Sequence, residues 1–383
     1  MLAQTPPMGW NTWNTFASNI NEQLIMESAD AMVKNGYKDA GYEYIVIDDC
    51  WSLRQRDENG RLVADPEKFP HGMKHVADYV HSLGLKFGMY SCAGVRTCAD
   101  FPGSFDHEYI DAQTFASWGV DFLKYDFCYF PSNANCKNRY LTMSMALRAS
   151  GRDILFSACN WGVQEPWNWM RGIGVHMYRS TGDIVDTFKS QTDILESQIG
   201  NFNSNGPGCF NDLDMLTVGM FGKGNVGIEQ CEWIKEEDKS IPTIEMYKHQ
   251  FMFWCLCGSP LMMGGDIRNM SEEAHKLLTN KNLIAINQDE EARPITRIPG
   301  DNTCVSYLKM LSGGEFAIGS FNKASFEKHI SILAEEIGIP ANSGMKIEAY
   351  DCETGEHYGT FADIIRISVE KFGARILRCK LVK

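Results

Sequence analysis

The chain has 383 residues, 44% apolar and 22% charged, with 36 basic side chains against 49 acidic ones for a formal net charge of −13. That length exceeds one average domain and allows a large core plus a smaller second unit, while the acidic balance leaves no basic surplus to neutralise phosphates, so no nucleic-acid partner is expected. No apolar run approaches the ~20 residues of a membrane-crossing helix, and no membrane partner is expected either.

Residues 1–10 carry neither a basic start nor an apolar stretch. No secretory signal is visible there, so the expected location is cytoplasmic, or secreted if a signal has been removed. Short β-rich runs then alternate with longer amphipathic ones, the pattern of repeated βα units on a parallel sheet. Strands are predicted at 8–10, 44–48, 86–90, 122–126, 154–159, 177–181, 209–216 and 260–264, with helical spacing at 20–35, 72–83, 111–118, 136–150 and 184–199. Eight such strands most economically close into an α/β (β/α)8 TIM barrel over residues 1–292.

One segment, 223–245, is too long and polar for a plain connector, and reads equally as a functional loop or a solvated surface loop. Beyond Arg293 the character changes to short alternating runs at 304–311, 316–321, 328–332, 346–350, 364–369 and 374–381, separated by Gly-rich and Asn-Lys turns. These predict a C-terminal antiparallel β-sandwich over 293–383, covering the barrel's side and carrying no chemistry. The 13 cysteines are scattered without zinc-finger spacing, which predicts mostly free, buried thiols.

The predicted strand ends converge on one kind of chemistry. In order they supply Asn11 and Trp13; Asp48, Asp49 and Trp51; Tyr90 and Cys98; Lys124 and Asp126; Cys159, Asn160 and Trp161; Arg179 and Asp183; and Asp212, Asp214 and Met215. In a barrel all of these lie at the carboxyl-terminal face, where barrel enzymes keep their sites. Carboxylates, two cations and several tryptophans around one cavity describe a carbohydrate site, because sugar hydroxyls need fixed polar partners while a pyranose face stacks on an aromatic ring. A divalent cation is the competing account; no histidine sits at a strand end, and Lys124 and Arg179 would stand where the cation should be, so no metal and no cofactor are expected.

The chain resembles glycoside hydrolase family 27, the α-galactosidase and α-N-acetylgalactosaminidase family. The resemblance is carried by Pro-Pro-Met-Gly-Trp-Asn at 6–11, Ile-Asp-Asp-Cys-Trp at 47–51, Cys-Ala-Asp-Phe-Pro-Gly-Ser-Phe at 98–105, Leu-Lys-Tyr-Asp-Phe-Cys at 123–128, Arg-Ser-Thr-Gly-Asp-Ile at 179–184 and Gly-Pro-Gly-Cys-Phe-Asn-Asp-Leu-Asp-Met-Leu at 206–216. It implies a retaining exo-glycosidase acting on terminal α-galactosides by double displacement, with Asp126 as nucleophile and Asp183 as acid/base. Lys124 is then expected to keep Asp126 ionised, and burial or the Asp126 charge to keep Asp183 protonated.

The same match implies that Asp48 and Asp49 accept from O4 and O6, that Lys124 binds O3 and O4, and that Arg179 and Asp214 hold O2 and O3. Trp13, Trp51, Tyr90 and Met215 would form the apolar wall, with Cys98 beside them, while Cys159, Asn160 and Trp161 would surround O2. A tryptophan there leaves little room for an N-acetyl group, although Asn160 stands where the family usually has glutamate. The resemblance allows a disulfide between Cys98 and Cys128, which a cytoplasmic location would keep reduced. α-N-Acetylgalactosaminidase and β-L-arabinopyranosidase activities are the alternatives on this scaffold, a non-catalytic galactose-binding protein is the alternative of another class, and a homo-oligomer is compatible with all of them.

Overall fold

The computed structural model describes residues 2–232 and 234–383. Strands β1 (Met8–Asn11), β2 (Tyr44–Val46), β3 (Lys86–Cys92), β4 (Phe122–Asp126), β5 (Leu155–Ala158), β6 (Met177–Arg179), β7 (Phe210–Asp212) and β8 (Leu261–Met263) form one sheet in the order β7-β6-β5-β4-β3-β2-β1-β8. Every pairing along it is parallel. The seam closes just past β7, where Leu216 bridges Met263 in parallel; its N–H donates to Met262 O at 2.7 Å, and its carbonyl accepts from Gly264 N at 2.9 Å. The result is the expected (β/α)8 barrel.

Side-chain alternation along the strands builds two environments. Tyr44, Val46, Phe122, Leu155, Met177 and Met262 fill the lower interior, whereas Leu123 and Tyr125 face outward into the core beneath the helices. On β4 the inward set is therefore Phe122, Lys124 and Asp126, which climbs from apolar floor to charged rim. The surrounding helices carry their own start signals: Asn21 accepts from Leu24 N at 2.8 Å ahead of Glu22–Lys34, whose buried positions include Leu24, Ile25, Ala29 and Met32.

Two predicted elements are shorter than expected, each for a local reason. The helix predicted at 184–199 runs only over Phe188–Ser197, because Thr187 is its cap and the preceding residues form a loop anchored elsewhere. The strand predicted at 209–216 ends at Asp212, since Asp214 takes φ +78°, a left-handed conformation that a strand cannot hold.

The C-terminal part holds β9 (Ile295–Ile298), β10 (Cys304–Met310), β11 (Phe316–Asn322), β12 (Lys328–Leu333), β13 (Lys346–Asp351), β14 (His357–Phe361), β15 (Ile364–Val369) and β16 (Ala374–Val382). Six of them form an antiparallel sheet in the order β14-β13-β16-β11-β10-β9, and β12 pairs with β15. The runs at β9 and β14 escape a reading of the sequence because exposed charged or polar residues break their alternation.

At its central strand β11 the large sheet is buried on both faces. Ala317 and Phe321 face the barrel's core, while Phe316 and Ile318 meet the β12–β15 pair. The barrel helix Ile244–Cys257 lies so close to β11 that a Cβ on Gly319 would stand 2.5 Å from Leu256 Cδ2. No helix among the described residues is long and apolar enough to cross a membrane.

Candidate active site

At the carboxyl-terminal end of the strands lies a cavity of about 460 Å³ lined by Trp13, Asp48, Asp49, Tyr90, Cys98, Lys124, Asp126, Arg179, Asp183, Asp214 and Met215. Six separate strand ends or the loops after them bring these side chains together. Asn14, Ile184, Val185, Asn225 and Val226 complete the wall. Asn225 and Val226 belong to the long excursion at 223–245, so its length was the signal, although nothing in the sequence singled out these two positions. Their backbone N–H groups donate to Thr15 O and Asn14 O at 3.3 and 3.1 Å, and Val226 O accepts from Asp186 N at 2.9 Å.

The charges form two linked groups. Lys124 Nζ donates to Asp48 Oδ2 at 2.8 Å, and Asn11 Nδ2 donates to the same oxygen at 2.8 Å. Burial opposes the Lys124 charge, but Asp48 and the neighbouring acidic groups, Asp126 among them, together outweigh it and the ammonium is held on. On the other side Arg179 pairs with Asp214 Oδ1 at 3.0 Å and with Asp183 Oδ1 at 3.0 Å, and donates to Thr181 O and Gly182 O at 3.1 and 2.7 Å. Asp214 is pinned by Ile184 N at 2.7 Å and Met215 N at 2.8 Å. Beneath it, burial pushes the Asp212 carboxyl up to about 6.

Asp126 sits on β4 with its carboxylate accepting from Tyr90 Oη at 2.8 Å and from Phe127 N at 2.9 Å. Burial raises its pKa to about 6, against the pull of Lys124 and with the Asp183 charge adding to the rise. Asp183 is different: its side chain is 71% exposed at the cavity mouth. What burial it has acts to raise its pKa, but Arg179 and Lys124 outweigh this and hold it below the usual carboxylate range. This runs against the expectation that Asp183 is kept protonated in the free protein, because Arg179 turns toward Asp183 as well as Asp214.

Four further predicted site residues lie off the cavity wall or beneath it. Cys159 is buried below, 3.7 Å from Arg179 Nη1, on a void of about 20 Å³ that it shares with Arg179, Asp214 and Met215. Trp161, at φ +56°, faces an adjoining outer groove. Trp51 is a core residue, not a wall residue: its indole N–H donates to Tyr90 O at 2.9 Å and its ring packs on Phe115 and Trp118. Asn160 is likewise turned away, fully buried, with its amide donating to Val163 O at 2.6 Å. Cys98 and Cys128 are joined as a disulfide, with Cα atoms 5.1 Å apart, and the other 11 cysteines are free and buried.

Near the cavity, the one set of candidate metal ligands among the described residues is Cys98, Asp126 and Cys128, and its two sulfurs are bonded to each other. The remaining carboxylates are engaged by Lys124, Arg179 or backbone N–H groups. Such an array suits a neutral ligand with many hydroxyls, each finding a charged donor or acceptor.

The family model described as Alpha galactosidase A matches residues 5–235 and 237–289 of the chain. Over 334 residues the chain is 44% identical to Alpha-galactosidase A of Cellvibrio japonicus (strain Ueda107), spanning 84% of this chain and 77% of that protein. It is 43% identical over 352 residues to Alpha-galactosidase 3 of Arabidopsis thaliana, spanning 90% of this chain and 75% of that one. The crystal structure of alpha-galactosidase I from Mortierella vinacea superposes with a TM-score of 0.90 at 33% identity, covering 99% of this chain and 97% of the other. With the fold, the cavity and the sequence in agreement, the chain belongs to the α-galactosidase family, glycoside hydrolase family 27.

Proposed function

We propose that the chain is a retaining α-galactosidase that releases terminal α-D-galactosyl residues. The observation that carries this reading is the opening of Asp126, at the end of β4, and Asp183, in the loop after β6, into one cavity whose walls hold Lys124 and Arg179. Asp126 attacks the anomeric carbon as the glycosidic C–O bond breaks, giving a β-linked glycosyl-enzyme, and Asp183 gives its proton to the departing oxygen. Asp183 then takes a proton from water as that water attacks the same carbon, returning Asp126 and an α-configured galactose.

In the free protein Arg179 and Lys124 favour the ionised form of Asp183, so substrate must loosen that hold before Asp183 can carry the proton. Sugar hydroxyls at O2 and O3 would compete for the Arg179 guanidinium and weaken its hold on Asp183, while Lys124 favours the Asp126 anion. Asp48 and Asp49 would accept from O4 and O6. The void beside Cys159 and Arg179, about 20 Å³, has room for about one water and none for an acetamido group. That favours galactose over N-acetylgalactosamine.

Azide separates the two roles. Asp126→Gly with an activated α-galactoside and azide should yield β-galactosyl azide, and Asp183→Ala should yield α-galactosyl azide from the trapped intermediate. Wild-type-like hydrolysis by either variant, or the same anomer from both, would sink the assignment.

A further inference from the structure

Among the described residues, a second group of metal-ligating side chains lies outside the glycon cavity. Glu22, His71 and His75 each offer one ligand atom, and the three atoms lie within 4.8 Å of one another. Glu22 opens the helix Glu22–Lys34, while His71 caps the helix Gly72–Ser82 and His75 belongs to its first turn. Helices of a (β/α)8 barrel begin at the carboxyl-terminal end of the strands, so the group sits on the same end of the barrel as the active site.

The carboxylate is already aimed. Glu22, only 14% exposed, accepts from His71 N at 3.3 Å with Oε2 and meets His71 Nδ1 at 2.6 Å with Oε1. That pair is complete as a hydrogen bond and needs no third member. Yet the exposed His75 ring lies 4.9 Å from the His71 ring, so two imidazoles one helical turn apart gather around one carboxylate. The neighbouring ammonium groups, which would repel an incoming cation, are drawn off. Lys74 pairs with Asp78 at 2.7 Å, and Lys68 donates to Ser18 O and Cys50 O, each at 2.8 Å.

We infer that Glu22, His71 and His75 bind a divalent transition-metal ion, Zn2+ foremost, and that the ion clamps the two helix starts together. Two imidazoles and a carboxylate are a donor set for zinc, with a water completing the tetrahedron. Tetrahedral ligands about 2.1 Å from zinc stand about 3.4 Å apart, so the exposed histidine rings need close in by at most about 1.4 Å. The ion takes the place of the proton shared by Glu22 and His71, while Oε2 stays on the His71 backbone and orients the carboxylate. The role is structural. The chain between the two helices carries Asp48 and Asp49 on the cavity wall, and Glu22 N donates to Lys68 O at its far end at 2.9 Å. The ion fastens that same end a second time.

The test titrates Zn2+ by calorimetry into protein stripped with EDTA and dialysed, and follows thermal unfolding in parallel. One ion per chain should bind, and at free Zn2+ about 100-fold above Kd the Tm should rise by about 3 °C, reversibly with EDTA. His75→Gln leaves the Glu22–His71 bond in place at an exposed position. It should keep the metal-free Tm within about 1 °C, weaken Zn2+ binding at least about tenfold and remove about half of the rise or more. His329→Gln, at an exposed histidine–glutamate pair outside the group, should change neither. A single saturable site that weakens in His75→Gln but not in His329→Gln bears the inference out. Absence of saturable binding, affinity undiminished by His75→Gln, or equal losses in both variants would overturn it.

Discussion

Replacing Tyr90 with phenylalanine isolates the hydrogen bond that its hydroxyl donates to Asp126 Oδ2 at 2.8 Å. The donor favours only the ionised carboxylate, so its loss must raise the Asp126 pKa. A hydrogen bond to a charged group is worth roughly 1.5–3 kcal/mol, and at 1.36 kcal/mol per unit this moves the group up by roughly one to two units. Burial already holds it at about 6. The competent enzyme carries one proton on the Asp126–Asp183 pair, so kcat/KM should fall as pH rises through the upper of the pair's two values.

In wild type that descending limb should lie near 6; in Tyr90→Phe it should move upward. The plateau should drop by the same factor as the limb moves, because the proton rests more often on the wrong carboxyl. At alkaline pH the two profiles should then converge, since the proton affinity of Asp183 beside an ionised Asp126 is unchanged. A kcat/KM profile from pH 3 to 9 reads all three features. A limb that stays in place or moves to lower pH would refute the reasoning.

The Cys98–Cys128 disulfide closes a loop with a sequence separation of 30, for which loop-closure entropy predicts a stabilisation of roughly 3–4 kcal/mol. Urea titrations with and without a reducing agent should differ by that amount, and identical midpoints would count against it. His249 is fully buried between the rings of Phe188 and Phe321, and burial lowers its pKa to about 3. Its unfolded form binds a proton below about 6.5, so stability is complete above that pH and is lost as pH falls toward 3, by roughly 3 kcal/mol between pH 7 and 4. His249→Leu should show that much less acid destabilisation in paired urea titrations, and equal losses would refute the assignment.

What could be read from the sequence follows from where the chain is periodic. Inside a strand, alternation is strict, so Phe122, Lys124 and Asp126 could be assigned to one face before any coordinates existed, and Arg179 with them. Past a strand end, alternation carries no information. Cys50 takes φ +70°, which reverses the side-chain parity and sends Trp51 into the core while Asp49 stays on the cavity. The same happens after β5, where Asn160 turns inward and Trp161, at φ +56°, faces the groove.

The protonation pattern was hidden for a different reason. Asp183 lies four residues past Arg179, the last residue of β6, in a loop whose backbone carbonyls at Thr181 and Gly182 aim the guanidinium. No periodic rule predicts that aim. Asn225 and Val226 reach the cavity through backbone hydrogen bonds to Thr15 and Asn14, contacts over two hundred residues long that composition cannot report.

At its central strand the six-stranded sheet has no water-facing side. Its seven-residue central strand β11 is buried at every position, with alternate side chains serving the barrel and the β12–β15 pair. Catalytic and tail portions thus share one continuous interior rather than touching across a joint. Shearing off the tail would lay bare the helix Ile244–Cys257, which in turn carries Trp254, whose indole holds the Asp214 carbonyl at 2.8 Å. A region that touches no sugar is, through two layers of contact, part of what keeps the sugar's partners in line.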